Sequence, residues 1–150
     1  MYKKILFPTC LTQFCEHIFT HVLNLAVENN AKLWIYYGLG RQSLNEDELN
    51  EEIKKAEARV KEAYGKKLAD KGVDYMINVS DGDVVSELTK LARNAKIDAI
   101  IMGTGTTAPL ATGEDVRVGP LGRVTADTLL WAPCPVLVIP PSWVPGLTRR

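Results

Sequence analysis

Residues 100 to 107 read Ile-Ile-Met-Gly-Thr-Gly-Thr-Thr, an apolar run that opens into glycines and hydroxyls. The chemistry such residues offer is anion binding. Gly103 and Gly105 let backbone N–H groups approach a phosphate closely, and Thr104, Thr106 and Thr107 carry hydroxyl donors. A second segment, Gly122-Arg123-Val124-Thr125, opens a helical pattern. A helix start supplies free N–H groups and a positive dipole end. The Arg123 guanidinium can grip phosphate or carboxylate bidentately, and the Thr125 hydroxyl is a further donor. No general base is placed beside a nucleophile, so the pattern points to binding without turnover.

Three other constellations compete with this reading. Gly103 to Ala108 formally fits the dinucleotide fingerprint G-x-G-x-x-A. That motif should follow the first strand and run straight into a helix, whereas here it follows the fourth, and Pro109 and Pro120 punctuate a long loop. Cys10 falls in the turn before the first helix, where the helix N-terminus favours a thiolate, so a thiol sensor is one alternative. The plainer reading of Cys10 is a small buried residue filling space. His17 and His21 lie four apart with Cys15 near in sequence, but a metal needs further ligands on that side. With Asn24 and Glu28 they read as a polar helix flank, and no metal is expected.

The chain has 150 residues, 46% hydrophobic and 24% charged, with a formal net charge of zero. That suits one soluble domain and gives no electrostatic basis for nucleic-acid or anionic-membrane binding. The opening apolar run breaks at Pro8, too short for a signal peptide, and no stretch approaches the ~20 apolar residues of a membrane span. A cytoplasmic protein is expected. Three cysteines without a CxxC pair argue against a disulfide framework or a structural zinc cluster, and Cys134 reads as packing.

The elements that must position these residues alternate along the chain. Strands are expected at Ile5–Phe7, Leu33–Tyr37, Tyr75–Val79, Ala99–Met102 and Val136–Ile139. Gly38 and Gly40 mark the loop after the second, and Asp81-Gly82-Asp83 a turn after the third. Thr12 is the expected cap of a first helix with the inward stripe Phe14, Ile18, Val22 and Leu25. Ser43 and Glu46 fit a capping box for a second helix, lined by Leu49, Ile53, Ala56, Val60, Ala63 and Leu68 and closed by Gly72. Val84, Leu88, Leu91 and Ala95 line a third helix, and Gly122 to Trp131 forms a fourth. Such alternation means βαβ units and a parallel sheet covered on both faces, with ligands beyond the carboxyl ends of the strands. The domain is expected over residues 1–141, with 142–150 as a Pro-rich tail.

With those segments placed, the chain resembles the universal stress protein family. KKILFPT, DAIIMGTG and GRVTADTLLWAPCPVLVIP, in that order, carry the resemblance from Lys3 to Pro140. The likeness implies a three-layer α/β/α fold, a five-stranded parallel sheet of order 3-2-1-4-5, and commonly a homodimer paired through the last strand. Sheet physics agrees: Val136, Leu137, Val138 and Ile139 would form an apolar edge that must be covered or paired. The prolines around it favour a closed pair over a fibre.

In the ATP-binding branch of that family, strand four leads into Gly-x-x-Gly, nine residues, then Gly-Ser or Gly-Thr, and an acidic residue follows strand one. Gly103 matches the first glycine. Thr106 occupies the second position, with Gly105 one step earlier, and Gly122 matches the third, followed by Arg123 in place of serine and then Val124. Nineteen positions separate Gly103 from Gly122, six more than in the pattern. Cys10 occupies the acidic position, and a thiol accepts hydrogen bonds weakly. The resemblance therefore implies a modified ATP-type pocket for an anionic nucleotide or small molecule. Thr9, Cys10, Gly103, Thr104, Gly105, Thr106, Gly122, Arg123, Val124 and Thr125 would line it, with Gly38 near the base end. Residues 108–118 are either a lid or a plain surface insertion. Two alternatives stand beside this: a member that binds no nucleotide and acts through its dimer contacts, and a thiol sensor on Cys10.

Overall fold

The computed structural model describes residues 2–105 and 121–140. Thr106 and the 108–118 insertion lie outside them, as do Trp143 and the tail. The order is β1 (Lys4–Pro8), α1 (Gln13–Asn29), β2 (Lys32–Gly40), α2 (Glu46–Asp70), β3 (Tyr75–Asp81), α3 (Val84–Asn94), β4 (Ala99–Gly103), α4 (Arg123–Trp131) and β5 (Val136–Ile139). The five strands form one parallel sheet in the order β3-β2-β1-β4-β5, as expected.

Side chains alternate across the sheet, so β1, β2 and β4 each feed two cores. Ile5, Phe7, Leu33, Ile35 and Ile101 pack under α1 and α2. Leu6, Trp34, Tyr36, Ile100 and Met102 pack on the opposite face, with Leu88 and Ala92 of α3. Chain order reverses between β1 and β4, the point beyond whose strand carboxyl ends open α/β sheets take their ligands.

Local details differ from the periodicity reading at four points. On α1 the buried arc is Cys15, Ile18, Phe19, Val22, Leu23 and Ala26, while Phe14 and Leu25 are only half-buried. The arc is turned because Phe19 stacks on Tyr64 of α2, ring centroids 4.4 Å apart. Thr12 stands at the N-cap of α1 without capping it through its side chain; its hydroxyl lies 3.3 Å from the Cys10 sulfur. The second helix begins later than the Ser43–Glu46 box: Asn45 is the cap, accepting the Glu48 N–H at 2.9 Å and donating to the Glu48 carboxylate at 2.6 Å. Its stripe runs Ala56, Val60, Tyr64, Leu68, with Ala63 exposed.

The fourth difference is in β2, which extends through Gly38 and Gly40, with a bulge between them, to pair with Ser80 and Asp81. A Cβ on Gly38 would lie 2.9 Å from Val84 Cγ2 and 3.1 Å from the Tyr36 hydroxyl. The glycine therefore lets α3 close on the strand.

Asp83 caps α3, its carboxylate accepting the Ser86 N–H at 3.0 Å and the Ser86 hydroxyl at 2.8 Å. Those two bonds hold its carboxyl below the usual carboxylate range. A folded-state pKa below the unfolded one lends stability above the unfolded value of ~3.9, which is lost as pH falls through the folded value. Asp83→Asn keeps a capping oxygen but cannot titrate. Its urea unfolding midpoint should therefore fall less than that of the natural chain between roughly pH 5 and pH 2.

Candidate functional site

The fourth strand ends where the fourth helix begins. Gly122 donates its N–H to the Thr104 carbonyl at 2.8 Å, and the Thr125 hydroxyl donates to the Gly103 carbonyl at 2.8 Å. The residues on either side of the long connection are thus stapled together. Gly105 has φ +77°, in the left-handed region, and a Cβ there would meet Thr125 Oγ1 at 3.0 Å and the Gly122 Cα at 3.1 Å. A Cβ on Gly122 would collide with the Gly105 carbonyl oxygen and lie 2.9 Å from its Cα. Two glycines therefore interlock backbone to backbone, and Gly105 is the one that meets Gly122.

Several proposed lining residues have structural roles here. Thr125 is buried and its hydroxyl hydrogen is committed to Gly103, so the staple and not a ligand takes that donor. Gly103 gives room for Ile18 of α1, whose Cδ1 would sit 2.8 Å from a Cβ at that position. Gly122 caps α4 without a side-chain bond, no acidic residue stands in the first turn, and Val124 is exposed. Arg123 opens the helix beside the Thr104–Gly105 turn, with its side chain 92% exposed and 3.7 Å from Asp127. A surface i,i+4 pair is worth less than about 1 kcal/mol, so the guanidinium is easily redirected.

At the end of β1, Thr9 is buried. Its N–H reaches the Tyr36 carbonyl at 2.9 Å, its Oγ1 accepts the Leu11 N–H at 3.0 Å, and that oxygen lies 2.7 Å from the Tyr64 hydroxyl. Burial pushes the Tyr64 phenol well above its ordinary pKa, so it stays a neutral partner. Cys10 is exposed beside this anchored residue and is not the buried space-filler expected, because the turn at Leu11 carries it to the surface; its Sγ lies 3.0 Å from that of Cys15. Gly38 lies at the far end of β2, among Tyr36 and Val84. His17 and His21 are half-buried on α1. Among the described residues, no group of three His, Cys, Asp or Glu side chains is arranged to hold a metal, and no helix is long and apolar enough to cross a membrane.

The chain that builds this sheet and junction matches the family model described as the universal stress protein family over residues 1–140. The chain belongs to the universal stress protein family. Universal stress protein MJ0531 of Methanocaldococcus jannaschii is 30% identical over 146 residues, covering 93% of this chain and 82% of that relative. Among solved structures, the protein MJ0577 is 26% identical with a TM-score of 0.74, covering 93% of this chain and 96% of its own. A universal stress protein in complex with cAMP is 24% identical, with a TM-score of 0.69, covering 92% of this chain and 97% of its own.

In this universal stress protein, two residues matter at the β1 end that spacing alone did not single out. Tyr64 anchors Thr9 across 55 positions, and the four-residue steps Ala56, Val60, Tyr64, Leu68 are the signal that reveals it. Cys15 faces Cys10, which becomes visible only once the turn at Leu11 (φ 60°) is known.

Proposed function

We propose that this universal stress protein is a binding module, without turnover of its own, for an anionic adenine nucleotide, and that it works as a homodimer. The observation that carries the ligand reading is the Gly105–Gly122 interlock. It sets the Thr104–Gly105 turn against the first turn of α4, where the helix N-terminus and Arg123 favour negative charge. The relative in complex with cAMP supports a nucleotide in this fold. Cys10, standing where a carboxylate would grip the nucleoside, gives a pocket that reads the phosphates more strongly than the sugar.

Denaturing freshly purified protein and examining the supernatant tests the ligand directly. Released nucleotide, or stabilisation by added ATP or cAMP, is expected. At a ligand concentration 100 times Kd that stabilisation amounts to about 2.7 kcal/mol. A clean supernatant together with no thermal shift rejects the reading. Arg123→Ala should weaken ATP binding by about ten- to a hundredfold in titration calorimetry, since a charge-assisted hydrogen bond contributes about 1.5–3 kcal/mol. The melting temperature of the free protein should stay unchanged, and an unaltered affinity removes Arg123 from the site.

The dimer reading rests on the exposed edge. Among the described residues β5 ends the sheet, Leu137 is 45% exposed, and Leu130 and Trp131 of the preceding helix are 73% and 65% exposed. An apolar row on an unpaired edge calls for a partner. Leu137→Lys should raise the dimer dissociation constant at least about tenfold, read by light scattering across a dilution series. A natural chain that is monomeric at high micromolar concentration ends the dimer reading.

A further inference from the structure

The turn between β1 and α1 brings two sulfurs together in a way that nucleotide binding does not use. Leu11 adopts φ 60°, held there by its N–H bond to the Thr9 hydroxyl oxygen. This folds the first turn of α1 back over Cys10. The two Sγ atoms stand 3.0 Å apart, closer than non-bonded sulfurs ordinarily pack and about 1 Å beyond a covalent S–S bond. The Cys10 N–H also points at Cys15 Sγ, at 3.3 Å. Cys15 is the third residue of α1, within reach of the helix N-terminal dipole. Cys10 is exposed and Cys15 is buried at 6% exposure. One sulfur faces solvent, and the other waits behind it.

We propose that Cys10 and Cys15 form a dithiol that a hydroperoxide closes to a reversible intramolecular disulfide at the end of β1. The two thiols share a proton across their contact. The hydrogen bond from Cys10, with its N–H, holds the Cys15 thiol low, near 5, while that same contact and burial push Cys10 up. The pair therefore gives up its first proton easily and its second with difficulty, and one thiolate is present at neutral pH. The thiolate charge therefore rests on Cys15, and Cys10, whose side chain reaches solvent, becomes nucleophilic by passing its thiol proton to the Cys15 sulfur across the 3.0 Å contact.

In the first step the Cys10 thiolate attacks the peroxide O–O bond. An S–O bond forms, and hydroxide (or alkoxide) leaves and takes up a proton. In the second, Cys15 attacks the resulting sulfenic sulfur, the S–S bond forms, and the S–O bond breaks to release water. Two thiols are oxidised by two electrons and one hydroperoxide is reduced to water, or to alcohol, plus water. A dithiol reductant reverses the change. The step stands whether or not a nucleotide binds.

Cys134 provides the internal control, because burial raises its thiol and it sits at the mouth of β5, away from the pair. The full chain, fully reduced, is treated with stoichiometric hydrogen peroxide, alkylated, and weighed intact and after trypsin. Cys10 and Cys15 fall in one tryptic peptide, Ile5 to Lys32, and Cys134 in another. The expected result is loss of two hydrogens in that first peptide, alkylation at Cys134 alone, and full recovery with dithiothreitol.

Alkylation of all three thiols after peroxide overturns the proposal. So does separate oxidation of Cys10 and Cys15 to sulfinic acids, or a disulfide to Cys134 or between chains. Cys15→Ser should slow peroxide reaction at Cys10 roughly tenfold and carry it on to sulfinic acid. Cys134→Ser should leave closure unchanged. The natural chain alone decides the matter should Cys15→Ser misfold.

Discussion

Replacing Gly122 with alanine is expected to lower unfolding free energy by roughly 2–3 kcal/mol, the range of forced overpacking in a closed contact. The atoms a new Cβ would strike are the carbonyl oxygen, carbonyl carbon and Cα of Gly105, all backbone, so no side chain can swing aside. Relief requires moving the Thr104–Gly105 turn away from α4. That breaks the Gly122–Thr104 and Thr125–Gly103 hydrogen bonds. For a chain of this length the melting temperature should fall by roughly 5–10 °C. Any ligand that needs the turn beside the helix should lose its site at the same time. Gly72→Ala is the informative control, because Gly72 also has positive φ (66°) yet a Cβ there meets nothing within 4 Å. It should cost only the left-handed backbone penalty of about 1–2 kcal/mol, with ligand binding intact. Urea unfolding of both variants checks this. A Gly122→Ala chain within about 0.5 kcal/mol of the natural one would show that the junction is loose.

The second large effect lies beneath the other half of the site. Tyr64→Ala should destabilise by about 3–5 kcal/mol, as removal of a buried aromatic does. Its ring packs against both Phe7, at 5.8 Å between centroids, and Phe19, at 4.4 Å. This one side chain therefore joins β1, α1 and α2. Tyr64→Phe separates packing from polarity. It keeps the ring and removes the phenol partner of the Thr9 hydroxyl, at a cost of about 1 kcal/mol. Denaturant unfolding of the two variants should differ by about 2–4 kcal/mol. Near-equal values would place the weight on the hydroxyl instead.

Much of the architecture was legible because it rests on local pattern. Alternating apolar strands, helical stripes and a glycine at the left-handed end of α2 are short-range signals, and each fixed an element near its observed place. Boundaries and faces were less legible. The cap of α2 moved from Ser43 to Asn45, where the reciprocal pair with Glu48 forms. The inward face of α1 turned toward Cys15 and Phe19, since neighbouring positions on a helix differ by about 100° and the neighbouring helix selects among them. That Gly103, Thr104, Gly105, Gly122 and Thr125 gather at one junction was legible, but the task each performs was not. Thr125 reads as a donor to a ligand and Thr9 as a lining residue, yet both hydroxyls are engaged within the protein.

The sequence by itself determined the order of strands and helices, the parallel sheet, and the two segments that follow β1 and β4 at the crossover. Periodicity and family motifs are written along the chain and survive without coordinates. Only the tertiary structure decided that Gly105 meets Gly122, that Tyr64 holds Thr9, and that the sulfurs of Cys10 and Cys15 touch. Each of these depends on the angle at which a turn returns the chain or on which helix face a neighbour accepts. Close packing sets those angles for all elements together, and no local pattern encodes them.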